Sequence, residues 1–483
     1  MSRRESVLVW FRQDLRLSDH PALNAAAKTG LPLVPVFVRD PEENRKEAAG
    51  AASHWWLHQS LTALDRSLRA LGSRLIVRRG PAAKTLLQLA AETGARRIFS
   101  NRVYEPAALA AEPEVKAQLE ARGISLESFN GSLLFEPGSI RTAAGNTFRV
   151  FTPFWRALWN ERGALRQPAR VPRSLRSPRS WPKSLKIADL ALEPTIDWAA
   201  GIREAWTPGE KAALMRLRQF GQRSVSRYGG DRDRTSEDGT SRLSPHLHFG
   251  EISPIQIWHG VADHTGAEPY LRQLAWREFA YHLLVENPET THEPFQKEFR
   301  HFPWRRNARR LRAWQKGQTG YPFVDAAMRQ LWTTGWMHNR ARLVAASFLV
   351  KDLLIPWRQG AAWFLDTLVD ADLANNTMGW QWVAGCGVDA APYFRVFNPV
   401  TQAERFDPDG KYVRRWIPEL ASLPTEWIHK PWEAPPQVLA AAGVKLGKSY
   451  PAPIVDHAQA RQAALEAFQE MRQARRRKSS PRN

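Results

Sequence analysis

The strongest constraint on the fold is a change of hydrophobic period part-way along the chain. Over the first 130 residues, short β-branched runs alternate with longer stretches whose apolar residues recur every three or four positions. Val7–Val9, Leu33–Val38, Arg74–Val77 and Arg97–Phe99 read as buried strands, with amphipathic helices near Ala52–Leu71 and Ala82–Glu92 between them. Strands joined through helices return to the same end of a sheet and so pair in parallel. The expectation for residues 1–130 is an α/β domain, a parallel sheet with helices on both faces. From 205 to about 400 the period is helical, which predicts a second, all-α domain. Between them, Pro168, Pro172, Pro178, Pro182 and Pro194 stand among Ser and Arg and mark a connector over the surface. The expected organisation is thus an α/β domain at 1–130, a connector at 131–204, a helical domain at 205–460 and a basic tail at 461–483. A chain of 483 residues exceeds what one core normally serves, which agrees with more than one domain.

The formal charge is +21, and residues 461–483 carry only +5 of it, so the remaining chain holds +16. An excess of that size suits a polyanion, because basic side chains release the counterions of phosphates; nucleic acid is the usual partner, and a generally basic surface without one is the alternative. The ending RQARRRKSSPRN reads as a disordered basic tail. Cys386 is the single cysteine, which excludes an internal disulfide or a cysteine-based metal site and fits a reducing cytoplasm. The first apolar run stops at Arg12, too short for a secretory signal, and no run of 18 apolar residues follows. A soluble, cytoplasmic, monomeric protein is expected. No GxGxxG follows the first strand, so the dinucleotide fingerprint is missing. The 21 tryptophans suggest stacking on planar ligands or a redox role, with core packing accounting for most of them.

Four stretches of the second half carry candidate chemistry. Tyr228-Gly-Gly-Asp-Arg with Gly239-Thr-Ser-Arg-Leu-Ser244 offers small hydroxyls at a helix entry, either phosphate donors or a plain N-cap. In Tyr270-Leu-Arg-Gln-Leu-Ala-Trp-Arg-Glu-Phe, the residues Gln273, Trp276 and Arg277 share a helix face that suits base stacking and phosphate binding, or an ordinary amphipathic helix. Gly335-Trp-Met-His-Asn-Arg-Ala-Arg-Leu343 places polar groups before a core run, where burial is costly unless they are paired. Leu368-Val-Asp-Ala-Asp-Leu-Ala-Asn-Asn376 supplies partners: Asp370 for Arg342, and Asp372 for a polar ligand. A polar pocket within a helical core points to a cofactor. The Asp-x-Asp alternative, a divalent-metal site, lacks the Gly and closing Glu of a calcium loop.

Together with VLVWFRQDLRLSDHPAL near the start and WIPEL at 416–420, the blocks GTSRLSPHLHFGEISP, LAWREFAYHL, AWQKGQTGYPFVDAAMRQL, TGWMHNRARL, LVDADLANNTMGWQWVAG and DAAPYFRVFNP make the chain resemble the photolyase/cryptochrome family over nearly its whole length. The likeness runs to class I cyclobutane pyrimidine dimer photolyases. It implies an N-terminal antenna domain, a helical domain holding FAD, a second antenna chromophore whose identity the residues do not fix, and no metal. It implies UV-damaged DNA as partner and a carbon–carbon lyase reaction driven by blue light, through an electron passed from excited reduced FAD to a flipped-out lesion. By the same resemblance, Tyr228, Thr240, Ser241, Arg242, Leu243 and Ser244 would hold the flavin phosphates and ribityl chain, and Trp336 and Asn339 would line its pocket. Arg342 and Asp370 would form a salt bridge over the ring, Asp372 would face its N3 side or ribose, and Asn376 would lie beside N5. Trp304, Trp357 and Trp380 would relay an electron to the flavin. Trp276 and Trp382 would flank the lesion, with Gln273 and Leu343 in its pocket, and Arg232, Arg277 and Arg340 near the DNA.

The chain departs from the family pattern at that pocket. Gln273 stands where dimer photolyases have Glu, and Leu343 where they have Met. The histidines of (6-4) photolyases would fall at Asn339 and Leu343, which counts against that lesion. A cryptochrome-type light sensor is the alternative. For the antenna, Tyr104-Glu105 is followed by Pro106, Ala107 and Ala108 where folate-binding relatives are polar; His54-Trp55-Trp56 and Glu105 stay open between a chromophore pocket and helix packing.

Overall fold

A computed structural model of the chain describes residues 5–40, 49–389 and 394–479, with side chains as far as 473. Part of the DAAPYFRVFNP block, the first four residues and the last four lie outside the described residues.

Five strands form one parallel sheet: β1 Val7–Phe11, β2 Leu33–Arg39, β3 Ile76–Arg79, β4 Arg97–Asn101 and β5 Ser125–Phe129, in the order β3-β2-β1-β4-β5. Both faces are covered. Val7, Val9 and Phe11 pack with Leu61, Leu64 and Leu68 of the helix Ala51–Ala70, while Leu8 and Trp10 pack with Leu86 and Leu89 of the helix Ala82–Thr93. Each fully buried leucine contributes about 2 kcal/mol, so burial on both sides explains why these strands read as continuous apolar runs. Sequence periodicity misses β5, whose SLESF has no two apolar residues adjacent, and the helices Pro21–Lys28 and Pro106–Glu120. The third strand begins at Ile76, not Arg74.

From 205 onward the chain is mainly helical, as expected, while the expected connector also holds the helix Phe151–Glu161. The tail needs correction: Arg472 and its neighbours continue the helix His457–Ser479, anchored by buried Ala464, Ala467 and Met471 and by Phe468 stacked 4.6 Å from Phe394. An apolar stripe before the basic run outweighs the repulsion within it.

Close packing divides the chain into two units. The first comprises Met1–Tyr228, Ser241–Pro288 and Val369–Ala374; the second comprises Gly229–Thr240, Glu289–Leu368 and Asn375–Asn483. Within the first unit, the loop after β1 fastens the segment beginning at Ser241. Arg16, 1% exposed, donates to the carbonyls of Gly250 at 2.9 Å and Gly131 at 2.6 Å, and Leu15 N donates to Phe249 O. Gly250 has φ +63°, and a Cβ there would meet Gln13 O at 2.2 Å, so only glycine permits this approach. Within the second unit, buried Asp325 gathers Thr319 N and Oγ1 at 2.7 Å each and Tyr450 Oη at 2.7 Å, tying the helix Pro322–Thr334 to the chain near 450.

Candidate functional site

In the first unit, the hydroxyls of the Gly-Thr-Ser segment do not act as a helix cap. The helix Ser244–His248 has Leu243 at its N-cap with no side-chain bond, and Arg242 before it sits at φ 52°. Ser241 Oγ accepts from Tyr270 Oη at 3.0 Å and from Leu243 N at 3.3 Å. With both lone pairs engaged, its own O–H is left to donate, the property needed for an anion. Ser244 instead donates to Asp370 Oδ2 at 2.6 Å, so it positions a carboxylate. Tyr228 is buried beside Tyr270, ring centroids 5.2 Å apart.

Asp370 and Asp372 are 8% and 6% exposed. Asp372 accepts from Tyr281 Oη at 2.5 Å, and burial together with that carboxylate pushes the Tyr281 phenol well above its ordinary range. The His248 imidazole is held below its usual value by desolvation, with Asp372 and Asp370 opposing. Tyr281 and His248 escape a reading based on sequence spacing alone because nothing local marks them; they sit in the matched blocks as ordinary helical residues.

The helix Glu268–Glu286 carries the expected face only in part. Trp276 is half-buried and stacks on Phe151, 3.7 Å between centroids and 9° from parallel. Gln273, also half-buried, makes one long bond, 3.4 Å to Pro269 O. Arg277 departs from the expectation of a DNA-facing cation. It is 8% exposed, donates to Ser132 O at 2.9 Å and lies over the Tyr281 ring. It also faces Glu278 at 3.5 Å, a carboxyl that burial pushes up to about 7. The i to i+4 spacing is right, but the helix is covered on more than one side.

In the second unit, Asp233 accepts from Arg340 Nη2 at 2.8 Å and lies 3.8 Å from Arg232, gathering two expected phosphate ligands on one carboxylate. Arg340 also lies over Phe406, 4.2 Å from its centroid. His338, one of the polar groups of this stretch that burial requires to be paired, caps the helix Asn339–Ser347 by accepting from Arg340 N at 3.2 Å; burial lowers its imidazole to about 4. Arg342 donates Nε to Met337 O at 2.8 Å and lies 5.9 Å from the buried Trp336 ring. Asn339 is exposed and Leu343 half-buried on the same helix, and Thr240 is half-buried in this unit. The expected Arg342–Asp370 pair joins residues of different units.

The helix Leu373–Ala384 presents Asn376 and Trp380 one turn apart, with half-buried Trp382 beyond. Asn376 Nδ2 donates to Ala361 O at 3.1 Å, which fixes the amide and leaves Oδ1 as an acceptor. Trp380 is 2% exposed, and its Nε1 has no partner. Its ring fills the space beside Gly360, three residues after Trp357 on the helix Trp357–Thr367. Trp357 and Trp304 line one cavity. The three tryptophans named through the resemblance thus all lie within this unit, Trp304 half-buried and Trp357 and Trp380 buried.

The antenna candidates resolve toward packing. Trp56 is fully buried among Trp206, His246 and Phe249, with Nε1 on Glu251 at 3.2 Å; Trp55 is 2% exposed; Glu105 accepts from Gln13 at 3.1 Å. Among the described residues, no group of three or more His, Cys, Asp or Glu could hold a metal, and no helix is long and apolar enough to cross a membrane.

Residues 7–173 match the family model described as DNA photolyase, and residues 270–470 that described as FAD binding domain of DNA photolyase. The chain is 48% identical to the deoxyribodipyrimidine photo-lyase of Agrobacterium fabrum, covering 96% of this chain and 97% of that one. It is 40% identical to cryptochrome-2 of Arabidopsis thaliana, covering 98% and 80%. A solved class III photolyase from Agrobacterium tumefaciens superposes with a TM-score of 0.94 at 47% identity, covering 98% and 99%. That relative corrects the likeness to class I read from sequence.

Proposed function

The chain belongs to the photolyase/cryptochrome family and carries its FAD-binding domain, and from that premise we propose that it repairs cyclobutane pyrimidine dimers in DNA under blue light, as a photolyase of the class III kind. The observation that carries this reading is the fixed amide of Asn376. One of its two N–H groups is committed to Ala361 O, which orients the amide and leaves Oδ1 free to accept from a protonated N5 of a reduced flavin. A carboxylic acid at that position would offer a proton instead. The relatives named photo-lyase support repair, and a second antenna chromophore is consistent with the family.

The side chains fit the cofactor. Ser241 presents an oriented hydroxyl to phosphate, with Tyr228, Thr240, Arg242 and Leu243 completing that segment; Ser244 holds the Asp370 carboxylate in place and Tyr281 that of Asp372. Trp336, Asn339 and Arg342 are assigned to the cofactor on the family resemblance alone. Bound FAD supplies the electron that opens the dimer and receives it back. The chain's own part is orientation, exclusion of water, and the relay through Trp304, Trp357 and Trp380 that refills an oxidised flavin. Trp276, backed by Phe151, and Trp382 stack on the everted lesion and offset part of the cost of extruding it; a damaged pair costs less to open than an intact one. Arg232 and Arg340, organised by Asp233, serve phosphates; Arg277, being buried, supports the pocket wall.

Incubation of the reduced holoprotein with a dimer-containing oligonucleotide under blue light tests the reading: thymine absorbance returns. Intact flavin photoreduction without recovery would favour a light sensor. Gln273 favours that second reading, because an amide cannot give a proton to a dimer radical anion.

A further inference from the structure

Trp304 and Trp357 form part of the wall of one cavity. Its volume is about 450 Å³, within the range of small-molecule sites, and its walls include Glu293, Phe299, Arg300, Trp304, Trp357 and Arg358. Arg300 Nε is held by Glu293 at 2.7 Å. Arg358 donates Nη1 to His292 O at 2.9 Å and pairs with no carboxylate among the described residues. The cavity thus combines one neutralised guanidinium, one with spare donors, and three aromatic rings. The adjoining segment 297–316 contains eight Lys and Arg against one Glu, most of them exposed. Such a field draws anions and repels cations.

We propose that this cavity binds a small planar anionic reductant, of the enediolate class to which ascorbate belongs, and delivers its electron to Trp304. The inference rests on the reading of Trp304, Trp357 and Trp380 as the relay to the flavin. The ligand's flat face stacks on the indoles while its negative edge takes the open N–H groups of Arg358, whose planar fork suits adjacent oxygens. The balance is one electron. Photoexcited oxidised flavin draws an electron through the three indoles, which leaves Trp304 as a radical cation. The enediolate gives one electron to Trp304, restoring the neutral indole, releases its proton to water and departs as a radical anion.

The test uses flavin-loaded full-length protein and ascorbate, with dithiothreitol, neutral near pH 7, as reference donor. Under steady blue light the photoreduction rate should saturate with ascorbate. Arg358→Gln should raise the half-saturating concentration about tenfold, the loss of one charge-assisted bond pair. Glu293→Gln, which frees Arg300, should lower it by about threefold, a gain that a misfolded variant cannot mimic. Equilibrium dialysis with labelled ascorbate in the dark should show the same order of affinities. A linear, unsaturated dependence, or identical half-saturation in all three proteins, overturns the site. Dark binding without photoreduction by either donor keeps the site and sinks the relay; absence of dark binding sinks the site whatever the photochemistry does.

Discussion

The indole of Trp380 occupies the space that a side chain at Gly360 would need: a Cβ built there would lie 2.1 Å from the ring carbon Cη2. This one absence of a methyl lets a buried indole on one helix reach the backbone of another, with Trp357 a turn away. Gly360→Ala should therefore cost about 2 kcal/mol by overpacking and displace Trp380. Thermal unfolding reads the first effect. Slower flavin photoreduction with unchanged flavin content reads the second.

Buried Glu251 collects four donors. Trp56 Nε1 lies at 3.2 Å, Gly209 N at 2.7 Å and His246 Nδ1 at 2.5 Å, and Ser60 Oγ also bonds to it. Removing the carboxylate leaves these groups without partners in a dry interior. Glu251→Ala should destabilise the protein by about 3 kcal/mol or more. A melting temperature within a degree or two of the parent would contradict this account of the network.

Glu278 gives a pH signature. Burial raises its carboxyl from 4.5 to about 7, with Arg277 and the N–H groups of Leu134 and Phe135 pulling the other way. Between those values the folded state binds the extra proton, so the stability this group lends is present in acid and falls as pH rises toward 7. Glu278→Gln keeps an acceptor for the two N–H groups but cannot ionise. The melting temperature of the variant relative to the parent should climb between about pH 5 and 8, by an amount corresponding to a few kcal/mol. A constant difference across that range would show that Glu278 stays ionised throughout.

What could be read from sequence followed from local period. The strands β1, β2 and β4 announce themselves because both faces are covered and the runs are apolar throughout. β5 stays hidden since its exposed edge positions, Ser125 and Glu127, break the run. Asn376 and Trp380, one turn apart on one helix, are legible only through the family resemblance, since spacing alone reads Trp380 as core. The burial of Arg277, the Ser244–Asp370 bond and the Tyr281–Asp372 bond depend on contacts across 90 or more residues, which no window along the chain contains. Charge alone hides the helix at Arg472, because the apolar Phe468 and Met471 beside it are what dock it.

Tyr281 bears on cofactor retention. Its phenol donates a hydrogen bond to Asp372, and without it the buried carboxylate loses that donor. Tyr281→Phe should weaken flavin binding about tenfold, the equivalent of one charge-assisted hydrogen bond, measured by flavin absorbance after dialysis. Full retention would mean that the phenol serves packing alone.

Gln273 separates the two functional readings more sharply than any other single position. Its side chain is half-buried and committed only to a 3.4 Å bond with Pro269 O, so a substitution there disturbs little of the helix. Gln273→Glu introduces a group that can hold and give a proton while keeping volume and acceptor geometry. If the pocket receives dimers, the added proton donor should increase repair per absorbed photon by about threefold to tenfold, most clearly below the pKa of the new carboxyl, while flavin photoreduction stays as it was. The pH dependence is the deciding part. An amide gives a flat profile, whereas a carboxyl gives one that falls as it ionises. Repair that remained absent in Gln273→Glu across the acid range, with flavin bound and reducible, would leave the sensor reading in possession of the site.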